Sequence, residues 1–401
     1  MRGMREVTEP VENPVMETYK RLQIAPVRGR GSWLFDAEGR AYLDFIAGIA
    51  TNTLGHSHPA LVAAIQEQAA TLIHCSNLYE VPIQREVAGL LTELTDFDKV
   101  FFCNSGTEAN EAAIKLARKY AALHHGPQKN EIVTFSSSFH GRTYCGLSAT
   151  AQPALHENFG PMLSGFRYAP FGDFAAAEAA IGEQTAAVLV EPVQGEGGIN
   201  VPPEGFLQHL RELCDASGAL LIFDEVQTGV GRTGHLYAYQ GTNVAPDALT
   251  SAKGLGGGVP VAALLAKEEC AVLTPGDHGC TFGGNPLAMA AAKVVLNAVS
   301  DPVFLEEVRF KGKVLRNALG VLAERFAGAE VRGEGLLLGL DLGPEAAPEV
   351  FEKCLEEGVL VNLIGGTTIR LAPPLTVTRS ELRQALDCLR RAAGIPVQAV
   401  A

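Results

Sequence analysis

The sequence predicts an α/β protein, with a large domain built on a mostly parallel sheet and a smaller α+β domain beside it. Three observations carry this. Apolar runs such as Ala187-Val188-Leu189-Val190 and Leu220-Leu221-Ile222-Phe223 read as strands buried on both faces, as central parallel strands are. These runs alternate with segments of helical periodicity, and repeated βα units place helices on both sides of one sheet. From Asp301 the order changes to one long helix followed by closely spaced strands.

The elements follow in order. Residues 32–36 and 41–45 flank Glu38-Gly39-Arg40 and read as a hairpin. Pro59 opens a helix carrying Leu61, Ile65 and Leu72, and Pro82 opens another, since proline is suited to the first helical position. Residues 100–103 form a short strand, the turn Asn104-Ser105-Gly106-Thr107 follows, and a helix runs on through Ala117. Residues 131–135 and 187–191 are strands, and a helix from about 205 to 216 leads into the run that delivers Asp224. After Lys253, residues 261–266 form a further strand, and Asn285 caps a helix that starts at Pro286 and ends near Val299. A helix over 301–326 is succeeded by strands at 336–342, 360–363 and 367–371 and by helices at 347–356 and 379–393.

Composition narrows the function. At 401 residues, with 47% hydrophobic and 19% charged residues, the chain is long enough for a sizeable core and has no bias toward disorder. A net charge of −13 without clustered Lys and Arg argues against nucleic-acid binding, which rests on phosphate neutralisation. No apolar run reaches membrane-span length and Met1–Pro14 lacks the apolar core of a secretory signal, so a cytoplasmic protein acting on small molecules is expected. The eight cysteines are scattered without a CxxC pair and read as buried reduced thiols. His56 and His58 have no nearby carboxylate or cysteine to complete a ligand set, so no metal site is expected.

Three strand ends carry the chemistry. Ser105-Gly106-Thr107 at a helix start is either a plain N-cap or an anion site, because free N–H groups and the helix dipole favour a phosphate there. Asp224 ends a buried strand, and Lys253 sits in the turn Ser251-Ala252-Lys253-Gly254. Pyridoxal phosphate needs all three: a phosphate site, a carboxylate that keeps its ring nitrogen protonated, and an amine for its aldehyde.

Six motifs in order extend this reading. Residues 104–110 (Asn104-Ser105-Gly106-Thr107-Glu108-Ala109-Asn110), Phe139-His140-Gly141-Arg142-Thr143, the glutamate–glycine run 191–198, the stretch 223–234, Lys253-Gly254-Leu255-Gly256-Gly257-Gly258 and Thr281-Phe282-Gly283-Gly284-Asn285-Pro286 together resemble the class III aminotransferases that act on ornithine, acetylornithine and 4-aminobutyrate. The resemblance runs from about Pro26 to Val377. It implies fold type I of the pyridoxal-phosphate-dependent transferases. Residues 1–54 would be an N-terminal segment contributing to the small domain, 55–285 the large cofactor-binding domain, and 286–401 the C-terminal small domain.

Residue by residue, the resemblance implies that Lys253 condenses with the cofactor aldehyde and later carries the proton between substrate and cofactor. Asp224 would pair with the ring nitrogen, Val226 and Phe139 would flank the ring, and Gln227 would reach its phenolic oxygen. Ser105, Gly106 and Thr107 would hold the phosphate from one subunit and Thr281 from the other, which makes a homodimer. Arg142 and Arg370 would each receive a carboxylate, a task for which planar bidentate recognition suits arginine. Glu196 would pair with Arg370 while an ω-amino donor is bound and release it for 2-oxoglutarate or glutamate. Arg232 reads as structural.

The compact length, residues 48–56, Asn77-Leu78-Tyr79 and residues 358–362 look most like acetylornithine aminotransferases within the family, although Thr51 stands where those enzymes more often carry valine and Gly365-Gly366 replaces a more polar turn. The expected reaction moves the terminal amino group of N2-acetyl-L-ornithine to 2-oxoglutarate by a ping-pong route. Competing expectations are another ω-amino donor (ornithine, succinylornithine, 4-aminobutyrate or a carrier-bound aminoadipate semialdehyde) or a cofactor-binding protein without turnover.

Overall fold

The computed structural model describes residues 14–396. Most of the N-terminal stretch read above as lacking a secretory signal, residues 1–13, lies outside the described residues. A short N-terminal sheet is formed by β1 (Arg28–Arg30), β2 (Trp33–Phe35) and β3 (Ala41–Asp44), antiparallel in that order. α1 (Ala47–Ala50) is a single turn, and the helices α2 (Pro59–Thr71) and α3 (Pro82–Glu93) each open on the proline that the sequence marks.

The large sheet then assembles from alternating units. These are β4 (Lys99–Cys103), α4 (Gly106–His125), β5 (Glu131–Phe135), α5 (Tyr144–Ala149), β6 (Phe166–Ala169), α6 (Phe174–Ala180), β7 (Thr185–Val190), α7 (Phe206–Ser217), β8 (Leu220–Asp224), β9 (Ala248–Ser251) and β10 (Ala262–Ala266). The seven strands lie in the order β4-β10-β9-β8-β7-β5-β6, and β10 alone runs against its neighbours. The sheet is therefore mostly parallel, as the alternating pattern predicts.

The apolar runs are continuous because both faces are covered. Leu221 and Phe223 of β8 and Val188 and Val190 of β7 join one core cluster, while Leu220, Ile222, Ala187 and Leu189 join a second cluster under α4. Successive strand residues point to opposite faces, so each face receives every other side chain. Asp224 is the residue at which this strand leaves its apolar layer.

The chain continues through α8 (Pro286–Val299) and α9 (Pro302–Ala323) into β11 (Glu330–Glu334), β12 (Leu337–Asp341), α10 (Gly343–Glu356), β13 (Val359–Leu360), β14 (Asn362–Ile364), β15 (Thr368–Leu371) and α11 (Arg379–Ala392). β11-β12-β15-β14 form an antiparallel sheet, and β13 pairs in parallel with β3, so the N-terminal strands join the C-terminal unit. Arg232, buried in the loop after β8, donates to the Leu336 and Pro373 carbonyls at 3.1 and 2.5 Å and so ties the large sheet to this unit. Burial without a carboxylate partner pushes its guanidinium down to about 9.

The structure adds elements that periodicity does not disclose. β6, β9 and β11 are short and rich in polar residues or alanine, and α10 starts four residues earlier than expected because Pro344 occupies its first turn. Among the described residues no single helix is long and apolar enough to cross a membrane.

Phe223 has no solvent exposure and lies in the layer beneath Asp224. Phe223→Ala should therefore destabilise the protein by about 3–5 kcal/mol in urea titrations. A loss below about 1 kcal/mol would contradict the packing described.

Candidate active site

Six parallel strands end on one side of the large sheet, and the loops after five of them, β4, β5, β7, β8 and β9, enclose a cavity of about 390 Å³. Ser105, Gly106, Thr107, Phe139, Arg142, Glu196, Asp224, Val226, Gln227 and Lys253 all line it. Arg370 reaches the same place through its bond to Glu196. Thr281 does not. It is exposed and borders a separate cavity with Asn77, Tyr79 and Cys280.

The phosphate-suited turn is a capped helix start. The Ser105 hydroxyl accepts from the Glu108 N–H and donates to the Glu108 carboxylate at 2.8 Å, and Glu108 also accepts from the Asn104 N–H. The first N–H groups of α4, from Gly106 and Thr107, are thereby left to face the cavity. Gly106 is dictated by close approach, since a Cβ there would lie 2.7 Å from Val226 Cγ1. Thr107 shares a 2.8 Å hydroxyl contact with Thr143, which locks this turn to the loop carrying Phe139 and Arg142.

Asp224 is 3% exposed yet well supplied with donors. Its Oδ2 accepts from His140 Nδ1 at 2.7 Å and from Asn110 Nδ2 at 2.7 Å, and its Oδ1 accepts from the Val226 N–H at 3.0 Å. Behind it lies Glu191, whose two oxygens accept the Phe139 and Gly195 N–H groups and whose carboxyl burial raises to about 7.

Lys253 follows β9 in a tight turn with φ +39°, a left-handed conformation that a side chain rarely adopts. The turn is held by the Thr53 hydroxyl on the Gly254 carbonyl at 2.9 Å. Burial lowers the Lys253 pKa, and Arg370 adds to this against the opposing pull of Glu196, whose Oε1 is 3.8 Å from Nζ. A lowered lysine pKa favours the free amine, the form that attacks a carbonyl.

Glu196 and Arg370 form a 2.6 Å ion pair at the cavity wall. Burial alone would raise Glu196, but Arg370 and Lys253 overcome it and hold the carboxyl at about 2. Gln227, expected at the cofactor's phenolic oxygen, bridges this pair, donating to Glu196 at 3.0 Å and accepting from Arg370 at 3.0 Å. Asn362 accepts from the other guanidinium nitrogen of Arg370 at 2.6 Å. Arg142, by contrast, is exposed and makes no ion pair among the described residues; its guanidinium stands 5.4 Å from the Phe139 ring centroid.

Sequence reasoning gives no role to Asn110, His140, Glu191 or Asn362. The first three lie inside the motifs quoted above, so their presence is a signal, but their convergence on Asp224 and its surroundings comes from three separate strand ends. His56, which has no carboxylate near it in sequence, meets Asp44 at 2.7 Å in the fold, and Asp44 also accepts the Ile46 and Ala47 N–H groups. This anchors α1, whose alanines and Ile49 have positive φ, and places Thr51 at the cavity.

The family model for aminotransferase class-III matches residues 15–393. The chain belongs to the class-III aminotransferases. It is a pyridoxal-phosphate-dependent enzyme of that family. Acetylornithine aminotransferase of Caldanaerobacter subterraneus subsp. tengcongensis is 50% identical over 94% of this chain and 96% of the relative. That of Aquifex aeolicus is 48% identical over 94% and 98%. Among solved structures, ornithine aminotransferase from Toxoplasma gondii superposes with a TM-score of 0.91 at 34% identity, covering 95% of this chain and 92% of that one. N-acetylornithine aminotransferase from Stenotrophomonas maltophilia gives 0.82 at 39% identity, covering 94% and 97%.

The electrostatics of this aminotransferase site predict a pH signature. Glu196 is depressed from 4.5 to about 2, so its contribution to stability is complete above about pH 4.5 and is lost as pH falls through about 2. The parent should exceed Glu196→Gln in stability by about 1–3 kcal/mol near neutral pH, with the gap closing in acid. Urea titrations at several pH values check this, and a gap independent of pH would rule out the charged pair as its source.

Proposed function

We propose that this enzyme transfers the terminal amino group of N2-acetyl-L-ornithine to 2-oxoglutarate by a ping-pong route in the cytoplasm, with two copies of the chain sharing their active sites. The observation that carries the reading is the unequal state of the two arginines. With Arg370 neutralised by Glu196, Arg142 is left without an ion pair among the described residues, which suits a donor with one carboxylate far from its reacting amine. The acyl group removes the charge from the donor's other nitrogen. The acceptor, 2-oxoglutarate, carries two carboxylates and needs both arginines, so Glu196 must leave Arg370 in that half of the cycle. Gln227 and Asn362 keep hydrogen-bonding contacts on Arg370 when Glu196 moves. The acetylornithine aminotransferases at about half identity over nearly the whole chain favour the same donor.

The residues present fit the cofactor. Gly106 clears the approach between the helix start and Val226, and Asp224 offers a fixed carboxylate in the cavity that Lys253 also lines. When bound, pyridoxal phosphate supplies an aldehyde that condenses with amines and a ring that takes up the electron pair left when a carbon loses its proton. Asp224 holds the proton on the ring nitrogen. Lys253, with its lowered pKa, acts as the amine and then moves the proton at the substrate carbon. Phe139 and Val226, both in the cavity wall, would flank the ring and exclude water, and Ser105, Gly106 and Thr107 would receive the phosphate. Thr281 serves the partner's phosphate. Its exposed neighbours Leu78 (88%), Tyr79 (69%) and Phe282 (59%) support burial of this face by a second copy.

Steady-state kcat/KM measured with acetylornithine, ornithine, succinylornithine and 4-aminobutyrate tests the donor. Acetylornithine should lead, and an efficiency for ornithine or 4-aminobutyrate well above it would overturn the assignment. Lys253→Ala should abolish turnover and the visible absorption of lysine-bound cofactor; transamination at the parental rate would remove Lys253 from its role.

A further inference from the structure

The Asp224 carboxylate has four lone-pair directions, and the fold uses three of them. Oδ2 is filled by His140 Nδ1 and Asn110 Nδ2, both at 2.7 Å. Oδ1 takes the Val226 N–H alone, at 3.0 Å. One acceptor direction is left, and it belongs to Oδ1. From this we propose that Asn110 and His140 are positioning residues that commit Oδ2 to the protein and leave Oδ1 as the oxygen that meets the protonated ring nitrogen. The inference rests on Asp224 being the partner of that nitrogen.

Asn110 cannot serve in any other orientation. It is 1% exposed, its Oδ1 accepts the Thr250 hydroxyl at 2.8 Å, and Nδ2 donates to the His140 carbonyl at 2.9 Å as well as to Asp224. A flipped amide would set oxygen against a carbonyl and a carboxylate and leave the Thr250 hydroxyl facing an N–H. Thr250 on β9 thus sets the amide of α4, and the amide sets the carboxylate of β8.

His140 is equally constrained. Its side chain has no exposure, its backbone N–H donates to the Thr150 hydroxyl at 2.9 Å, and Nε2 is buried without a partner. With Nε2 enclosed and Nδ1 on the Asp224 carboxylate, the ring has one hydrogen-bonding partner, and that partner is Asp224.

A pair of ligands separates this role from general support of the fold. Pyridoxal phosphate uses the ring nitrogen, whereas its 1-deaza analogue, with C–H in that place, keeps the phosphate and the aldehyde. Dissociation constants for both are to be measured on apoprotein of the parent, His140→Phe, Asn110→Leu, Thr250→Val and His140→Asn. His140→Phe and Asn110→Leu should each weaken pyridoxal phosphate about tenfold or more while leaving the analogue within about twofold of the parent. His140→Asn, which returns a donor, should recover most of the loss. Thr250→Val, which removes one hydroxyl, should shift pyridoxal phosphate in the same direction by a smaller factor and keeps the test open if the larger changes prevent folding.

Equal weakening of both ligands, or none for pyridoxal phosphate, would overturn the proposal. A parent that binds the two ligands alike would instead show that Asp224 does not hold the ring nitrogen, which is the failure of the underlying assignment.

Discussion

A buried carboxylate without enough donors is among the costlier things a fold can contain, and the site is arranged around supplying Asp224 with them. The donors come from α4, from the loop after β5 and from the turn after β8 itself. Each of those segments also carries a group that lines the cavity: the phosphate-suited turn opens α4, Phe139 and Arg142 lie in the loop, and Val226 is in the turn. Holding Asp224 in place therefore holds much of the rest in register. The Thr107–Thr143 contact and the Asn110–Thr250 bond close the remaining links between these segments.

The second organising pair behaves differently. Glu196 and Arg370 belong to separate units of the chain, one in the loop after β7 and one on β15 of the C-terminal sheet. Their bond is strong enough to hold Glu196 near 2, but each residue has alternative partners: Lys253 and Gln227 for the glutamate, Gln227 and Asn362 for the arginine. If the pair opens, Gln227 and Asn362 keep hydrogen bonds on Arg370, and a ligand carboxylate would have to replace the charge of Glu196 on that buried guanidinium. The proposed use of one cavity for a donor with one carboxylate and an acceptor with two rests on that exchange.

Much of this is legible in the chain itself. β7 and β8 are continuous apolar runs because both of their faces are covered, and Asp224 and Lys253 stand out as an acid and an amine at strand ends. Arg142, Glu196 and Arg370 become visible through the family resemblance. What escapes is of two kinds. β6, β9 and β11 are too short, and too rich in polar residues or alanine, to show a period, and their strand character comes from neighbours distant in sequence. Asn110, His140 and Asn362 read as ordinary polar residues, because only the assembled fold shows that their partners lie 114, 84 and 8 positions away. Gln227, to which the resemblance gives a cofactor contact, lines the cavity and also bridges the ion pair, a second set of bonds that only the assembled fold shows.

Asp224 and Lys253 acting as the two poles of one cofactor is the claim on which the function stands. The visible absorption spectrum of the purified, pyridoxal-phosphate-loaded protein, recorded before and after acetylornithine is added without any oxo acid, tests it most directly. The prediction is a lysine-bound cofactor band that the donor discharges and 2-oxoglutarate restores. A protein that shows no such band after loading, or a band that the donor leaves unchanged, would contradict it.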